Sequence, residues 1–365
     1  MTWIIIMVLF FSISTVAILG YASKARLDKW LVPYVRSQRK REQLTYPLHL
    51  HVAICNHYSP FWKGVSQEIA EHRVVTWCRE YPKFALSHRD SEGKQPVHTF
   101  FYNESDYNPK FIDSLCKLHK DGLADVEILI SKKHDTPEGL KKRVEDFRDV
   151  LFHHHNLLEK DQKGNINFGL IHESIGNKHQ QLLNLSQAEC DPSILKSSGC
   201  YADFSYPYTI DSAQIPLFNS IYFTPDQKVS VEQWSEEEML HIQGPLAFNW
   251  SNRLWRMVPR IENGELGFYH RFTPQRIALW INSRVNIRGA SNHLFIKLHT
   301  YGAVDCNVRY FFGEMGLHSL CYELENKYND GQKYVLHYVS AREMYKRIKQ
   351  LCINGKMKDK THHLT

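Results

Sequence analysis

The chain has no Cys-x-x-Cys pair: its eight cysteines, at positions 55, 78, 116, 190, 200, 306, 321 and 352, share no short repeated spacing. Neither a zinc knot nor a disulfide framework is indicated, and a reducing compartment is compatible with that pattern. Glycine-rich phosphate loops are missing as well. Neither GxGxxG nor GxxxxGK followed by Ser or Thr occurs, so a nucleotide site has no support. Internal repeats and low-complexity linkers are absent, and 365 residues with 43% apolar content are enough for one main domain.

Positive charge is scarce where a nucleic-acid surface would place it. The formal net charge is +6, and residues 24–41, with seven Lys/Arg against Asp28, carry all of it. Residues 346–365 form a second basic cluster worth +5, which leaves residues 42–345 at −5. That footprint disfavours a nucleic-acid groove on the body.

What the sequence does contain is an uncharged apolar run over residues 3–20, close to the length that spans a bilayer core. It predicts a transmembrane helix; the basic segment that precedes the apolar core of a cleaved signal peptide is missing. The Lys/Arg excess just past the run then places a single-pass protein's body on the cytoplasmic side, with the extracytoplasmic side as alternative. The same basic segment can rest on anionic headgroups. The expected organisation is an anchor over 1–22, a basic juxtamembrane linker over 23–46, a folded body over 47–353 and a basic tail over 354–365.

Within the body, short β-type runs alternate with helical patterns. Strands are expected at 50–55, 98–102, 126–130, 166–171, 220–223, 294–298 and 334–339. Helices are expected from Pro109 to Gly122, from Pro137 to about Glu159 and from Ala341 to Cys352. Alternation of this kind implies parallel pairing through right-handed crossovers. A (β/α) barrel is the expected architecture, with an open doubly wound sheet as alternative. Residues 180–198 and 243–276 read as insertions.

In such a barrel the reactive groups gather at the C-terminal ends of the strands. The polar residues there are Asn56 and His57, then Asn103, Glu104 and Asp106, then His134 and Asp135, then His172 and Glu173, with Asp203 after Tyr201 and His299 after the 294–298 run. Histidines and carboxylates converging on one mouth are what a divalent-metal hydrolase uses. Structural readings stand beside them. Asp135 precedes Thr136 and Pro137 and suits a helix cap. His153, His154 and His155 are adjacent in a helix and cannot face one ion together. His119 and His179 fit a surface.

Eight stretches, in order, carry a resemblance: residues 98–104, 125–128 followed by 135–140, 199–204, 219–222, 243–246, 259–264, 297–303 and 336–344. Together they resemble a bacterial branch of the NodB-type polysaccharide deacetylase superfamily, associated with exopolysaccharide or capsule production. The resemblance runs from about His49 to about Cys352. It implies a distorted seven-stranded (β/α) barrel and metal-assisted removal of an acetyl group from a sugar, with a first-strand Asp as base, an Asp and two His on the metal, and a late Leu-x-His as acid. His299 matches the late histidine. The first-strand base position holds Asn56, which takes no proton at neutral pH, and Lys132 and Lys133 stand where imidazoles are expected.

Two functions follow from different classes. One is an active carbohydrate deacetylase using zinc or a similar divalent metal on His57, His134 and His172, with Glu104 or Asp106 as base, His299 as acid, and Asn56, Tyr201, Glu173 and Asp203 lining the substrate. The other is an inactive deacetylase-like barrel that binds a carbohydrate, or partners of a membrane-bound polysaccharide-assembly system.

Overall fold

The computed structural model describes residues 41–131, 136–173, 192–205, 217–223, 227–230, 234–254, 258–313 and 315–362, the helix α1 (Leu27–Arg39), and residues 3, 15, 16 and 19–23 of the N-terminal run. The body begins with β1 (Leu48–Tyr58), α2 (Gln67–Ala85), β2 (His98–Asn103), α3 (Pro109–Lys120), β3 (Ala124–Ser131) and α4 (Pro137–His153). It continues through β4 (Glu159–Lys160), β5 (Ile166–Glu173), α5 (Pro192–Ser197), β6 (Cys200–Asp203), β7 (Ile221–Phe223), β8 (Gln227–Lys228) and β9 (Leu240–Ile242). A hairpin of β10 (Ala247–Leu254) and β11 (Val258–Glu262) precedes β12 (Glu265–Leu266) and α6 (Pro274–Ser283). The chain then forms β13 (His293–Thr300), α7 (Asp305–Phe311), α8 (Leu317–Lys327), β14 (Tyr334–Tyr338) and α9 (Ala341–His362).

Local chemistry starts these helices where the sequence places them. Pro109 and Pro137 occupy first-turn positions, where a missing N–H costs nothing. Asn108 accepts from the Lys110 N–H, and Thr136 Oγ1 accepts from the Gly139 N–H at 3.1 Å. In α2, Ala70, Val74, Trp77, Tyr81 and Phe84 recur at helical spacing and are buried.

β1 is the spine of the sheet. One flank pairs with β13 from His49↔His293 to Asn56↔Thr300. The other is shared: β14 runs along Leu48 to Val52, and β2 takes over from Ile54 to Tyr58, all parallel. The sheet's path is β12-β13-β1-β2-β3-β5-β6-β9-β7-β8, with β14 on β1 and β4 on β5. Leu50, Val52, Phe100, Val126 and Ile296 face one large core beneath the helices α2, α3, α4, α7 and α8. Ala53, Cys55, Phe101, Leu129 and Phe295 face a second core, which α9 covers through Ala341, Met344, Ile348 and Cys352.

Two expectations are corrected here. The seven-stranded (β/α) barrel does not form; the sheet has twelve strands and is mostly parallel, and among the described residues no ladder joins its β12 and β8 ends. The physical reason lies in pairing. β14 occupies half of a flank that β2 would otherwise hold, and β7 and β8 add antiparallel pairs at the far end. Single bridges, Ser220 to Asn286 and Ser230 to Arg288, are the contacts there.

The second correction concerns the membrane. Among the described residues no helix is long and apolar enough to cross a bilayer, so a single-pass membrane location is not supported; most of the anchor expected over 1–22 lies outside the described residues. The topology inferred from the positive-inside rule falls with that location. Nor is the segment over 23–46 a linker. Tyr21 Oη donates to the Pro259 carbonyl at 3.2 Å, and Tyr34 of α1 meets Phe248 edge-on at 5.5 Å. Leu27 and Tyr34 pack on Phe218 and Leu246, while Arg41 donates to the Asn282 and Ser283 carbonyls at 2.7 and 3.2 Å. Helix α1 and Arg41 thus pack on the body.

Candidate functional site

The strand alternation decides which polar groups can meet. Cys55 and His57 leave β1 on the face of the second core, and Asn56 leaves it on the helix-covered face. In β13, His299 is the register partner of Cys55, so His57 lies one side-chain step beyond it. The two imidazoles meet with ring centroids 5.8 Å apart, and the Tyr301 ring lies 5.0 Å from His57 and 6.4 Å from His299. Both histidines are buried.

Lys297 lies one step below His299 on the same strand face. Its ammonium donates to the carbonyls of Phe204 and Ser205, just past β6. Burial lowers the lysine to about 8, while Cys55 and Asp203 oppose the shift. Burial likewise drives His57 down to about 3, helped by the Lys297 charge. It also holds His299 well below the ordinary imidazole value, assisted by His57, Lys297, His270 and Arg276. At neutral pH both rings are uncharged, each with one donor and one acceptor nitrogen.

On the neighbouring strands three residues line up a polar row, in which His241 and Tyr222 leave the sheet on the face away from Ile221, Phe223, Leu240 and Ile242 of the second core. Asp203 of β6 pairs in register with His241 of β9, and His241 pairs with Tyr222 of β7. Asp203 Oδ2 lies 3.3 Å from His241 Nδ1, and its Oδ1 accepts from the Ser205 N–H at 2.8 Å. The His241 and Tyr222 rings stack at 4.8 Å and 9°.

The remaining expected residues are placed elsewhere or are engaged. Asn56 Oδ1 accepts from the Gly302 N–H at 2.7 Å, tying the loop after β13 to β1. Glu104 is ion-paired with Arg143 of α4. Asp106 Oδ2 accepts from Ser59 Oγ at 2.5 Å and the Phe61 N–H at 3.0 Å, fixing the turn after β1. Tyr201 Oη donates to Glu127 Oε1 at 2.7 Å, and Arg342 of α9 binds the same carboxylate at 2.8 Å. That buried trio is core architecture. His172 and Glu173 end β5, in register with Ile130 and Ser131. Lys132, Lys133, His134 and Asp135 lie outside the described residues.

A divalent metal is not fitted by the described residues at the strand ends. Of the expected ligands, His57 lies in the cluster, while His134 and the side chain of His172 are outside the described part of the structure. The Lys297 ammonium, close enough to lower His57, opposes a second cation. Among the described residues, threefold groups of metal-ligand type are Asp113–Cys116–His155 and Asp90–Glu92–His337, and neither contains His57 or His299. Their donors are already used. His155 joins Asp113 at 3.0 Å to Tyr107 at 3.1 Å, Asp90 accepts backbone N–H groups from Glu92, Lys94 and Tyr338, and Glu92 pairs with Arg347.

Sequence reading overlooked Lys297, Tyr301, His241 and Tyr222. Lys297 carried a usable signal, a lone charge inside the apolar stretch 294–298. His241 carried a weaker one between Leu240 and Ile242. Searches against known families and curated proteins find no match for this chain.

Proposed function

We propose that this chain recognises a carbohydrate at the C-terminal ends of β1, β6 and β13 and does not hydrolyse it. One observation carries the reading: three carboxylates expected to serve a hydrolase there, Glu104, Asp106 and Asp203, are already engaged. Glu104 holds Arg143, Asp106 holds the Ser59–Phe61 turn, and Asp203 holds His241 and the Ser205 N–H. The imidazoles do not replace them as bases, because a group that protonates near pH 3, as His57 does, is a poor proton acceptor at neutral pH. As neutral hydrogen-bonding rings beside Tyr301 they suit sugar hydroxyls, which also offer one donor and one acceptor. The resemblance to polysaccharide deacetylases supports the ligand class.

The test pairs binding with turnover. Acetylated and deacetylated chito-oligosaccharides are titrated into the protein by calorimetry while acetate release is followed enzymatically. Binding that weakens about tenfold or more in His299→Ala, with acetate at the no-protein level, is expected. Acetate release that disappears in His299→Ala would restore the hydrolase reading.

A further inference from the structure

From the aromatic groove beside β13 we propose a subsite for a carboxylated sugar residue, one that deepens the carbohydrate-recognition reading and rests on it. The groove encloses about 610 Å³ and is lined by Phe268, Tyr269, Arg271, Arg309, Tyr310 and Met315. That volume is within the range of small-molecule sites.

Its position ties it to the histidine pair. β12 is in register with the end of β13, Glu265 opposite His299 and Leu266 opposite Thr300, and the loop carrying Phe268 to Arg271 follows directly. The other wall is α7, which starts just past Tyr301. The groove thus lies beside the end of β13 that carries His299.

The loop is built to hold its shape while exposing its rings. Arg276 is buried in an ion pair with Glu262, at 2.6 Å, and donates to the carbonyls of His270 and Arg271 at 2.6 and 2.9 Å. Asn307 Oδ1 accepts from the Phe268 N–H at 2.8 Å, and Tyr310 Oη from the Phe272 N–H at 3.0 Å. On this fixed base Tyr269 is 82% exposed, and Met315, between α7 and α8, is 65% exposed. Large apolar side chains displayed on a rigid loop lose little entropy when a ligand covers them.

Charge selects the ligand. Two guanidinium groups line the groove and no described lining residue is acidic; Asp305, one turn before Arg309 on α7 and the carboxylate nearest to it in the helix, is ion-paired with Arg73 at 2.9 Å, and Arg271 Nε donates to the Phe268 carbonyl at 3.2 Å. Arg271 also lies over the Phe268 ring at 4.7 Å and the Tyr310 ring at 5.9 Å. An aromatic face takes the apolar side of a pyranose, and a guanidinium fork matches a carboxylate. A long polyanion is disfavoured by the −5 body, whereas a single acidic sugar sees mainly the local arginines.

Calorimetric titration of the full chain with a neutral oligosaccharide ending in one uronic-acid residue, and with the same oligomer after reduction of that carboxylate to an alcohol, tests this. The acidic oligomer is expected to bind about tenfold or more tightly than the reduced form. Arg309→Ala and Tyr269→Ala should each lose about as much, Arg309→Lys less, and added salt should weaken binding. Equal affinity for both oligomers, or unchanged binding in both alanine variants, overturns the subsite. Self-association abolished by Tyr269→Ala would do the same, assigning the groove to a second copy. His299→Ala separates the two readings. Charge-independent binding that depends on His299 leaves carbohydrate recognition standing without the subsite, and groove-dependent binding indifferent to His299 leaves the subsite without the strand-end reading.

Discussion

His98 opens β2 inside an aromatic cage, with Trp77 at 4.7 Å, Phe100 at 4.9 Å and Tyr81 at 5.3 Å between ring centroids. It is buried, and neither ring nitrogen has a hydrogen-bond partner among the described residues. A desolvated donor without a partner costs about 1–3 kcal/mol, and an apolar ring of similar shape avoids that cost. His98→Phe is therefore expected to raise the denaturant midpoint at pH 7.5; a lower midpoint would mean that the cage cannot take the larger ring. Asn56 is the opposite case. Its amide oxygen satisfies the Gly302 N–H, and a Cβ on Gly302 would lie 2.2 Å from Asn56 Nδ2. Asn56→Ala strands a buried backbone donor and should cost about 1–3 kcal/mol in denaturant unfolding. Asn56→Asp keeps an acceptor and should cost less, without creating acetate release. Alanine tolerated at no cost would show that Asn56 does not hold this loop.

At the N-terminal ends of three neighbouring strands, four imidazoles share one sheet face. His49 and His51 alternate on β1, His293 of β13 is the register partner of His49, and His337 of β14 is that of His51. They form two hydrogen-bonded pairs, His49 with His337 and His51 with His293, both at 2.9 Å, and the pairs stack with centroids 4.6 and 4.8 Å apart. Burial lowers all four, His293 to about 4 and His51 well below its ordinary value, as it lowers His57 and His98 to about 3. In the unfolded chain each histidine protonates near pH 6.5 while the fold keeps them neutral, so the unfolded state binds more protons below that value. Their stability contribution is complete above about pH 6.5 and is lost as pH falls toward 4 or 3. His57, His98 and His293 each cost up to about 1.4 kcal/mol per pH unit in that window, and the more exposed His49 and His337 less. His119, raised by its hydrogen bond to Asp125, works the other way but is a single group. The denaturant midpoint should fall steeply between pH 7.5 and 5. His51→Leu should lower it at pH 7.5 yet narrow the difference between the two values. A flat profile in the unmodified chain would contradict the burial of these rings. The elements themselves were legible, since a run such as 50–55 reads as strand from its own residues. Their partners were not. That β14 would share a flank of β1 with β2 depends on pairing between residues almost three hundred positions apart, and the alternation of His49 and His51 gives no hint of His293 or His337 until the register is known. The same limit hid the site. Asn56 and His57 are neighbours in sequence, yet the pleat sends them to opposite faces.

Over the whole molecule, the N-terminal segment is the part whose composition pointed away from its place. Its seven basic residues over 24–41 and the apolar run before them read as an anchor and a linker, because hydropathy registers the apolar character of a segment but not the partner that covers it. For Tyr21 and α1 the structure supplies that partner, whereas Trp3, Val16 and Leu19 of the apolar run are exposed. The contacts divide at Arg41. Upstream, Leu27 and Tyr34 are half-buried against the small cluster of Phe218 and Leu246, with Phe248 and Ile261 beside them. From Arg41 onward the ties are to the body itself: Arg41 to the end of α6, the Glu42 carbonyl to Arg284 at 3.2 Å, the Glu42 carboxylate to the Gly289 N–H at 3.3 Å, and Leu44 against the main core. Complete burial of an apolar side chain is worth about 1.5–3 kcal/mol, so two half-buried ones on a four-residue cluster contribute a few kcal/mol at most. Residues 41–365 should therefore fold with a modestly lower melting temperature than the full chain, and should self-associate through the uncovered Phe218–Leu246 cluster, which light scattering would register. Residues 46–365 should lose much more, because Arg41, Glu42 and Leu44 go with the segment. The order of the three melting temperatures is the measurement. If both truncations melt with the full chain, the N-terminal segment contributes nothing to the body. If residues 41–365 fail to fold at all, α1 belongs to the core rather than lying against it.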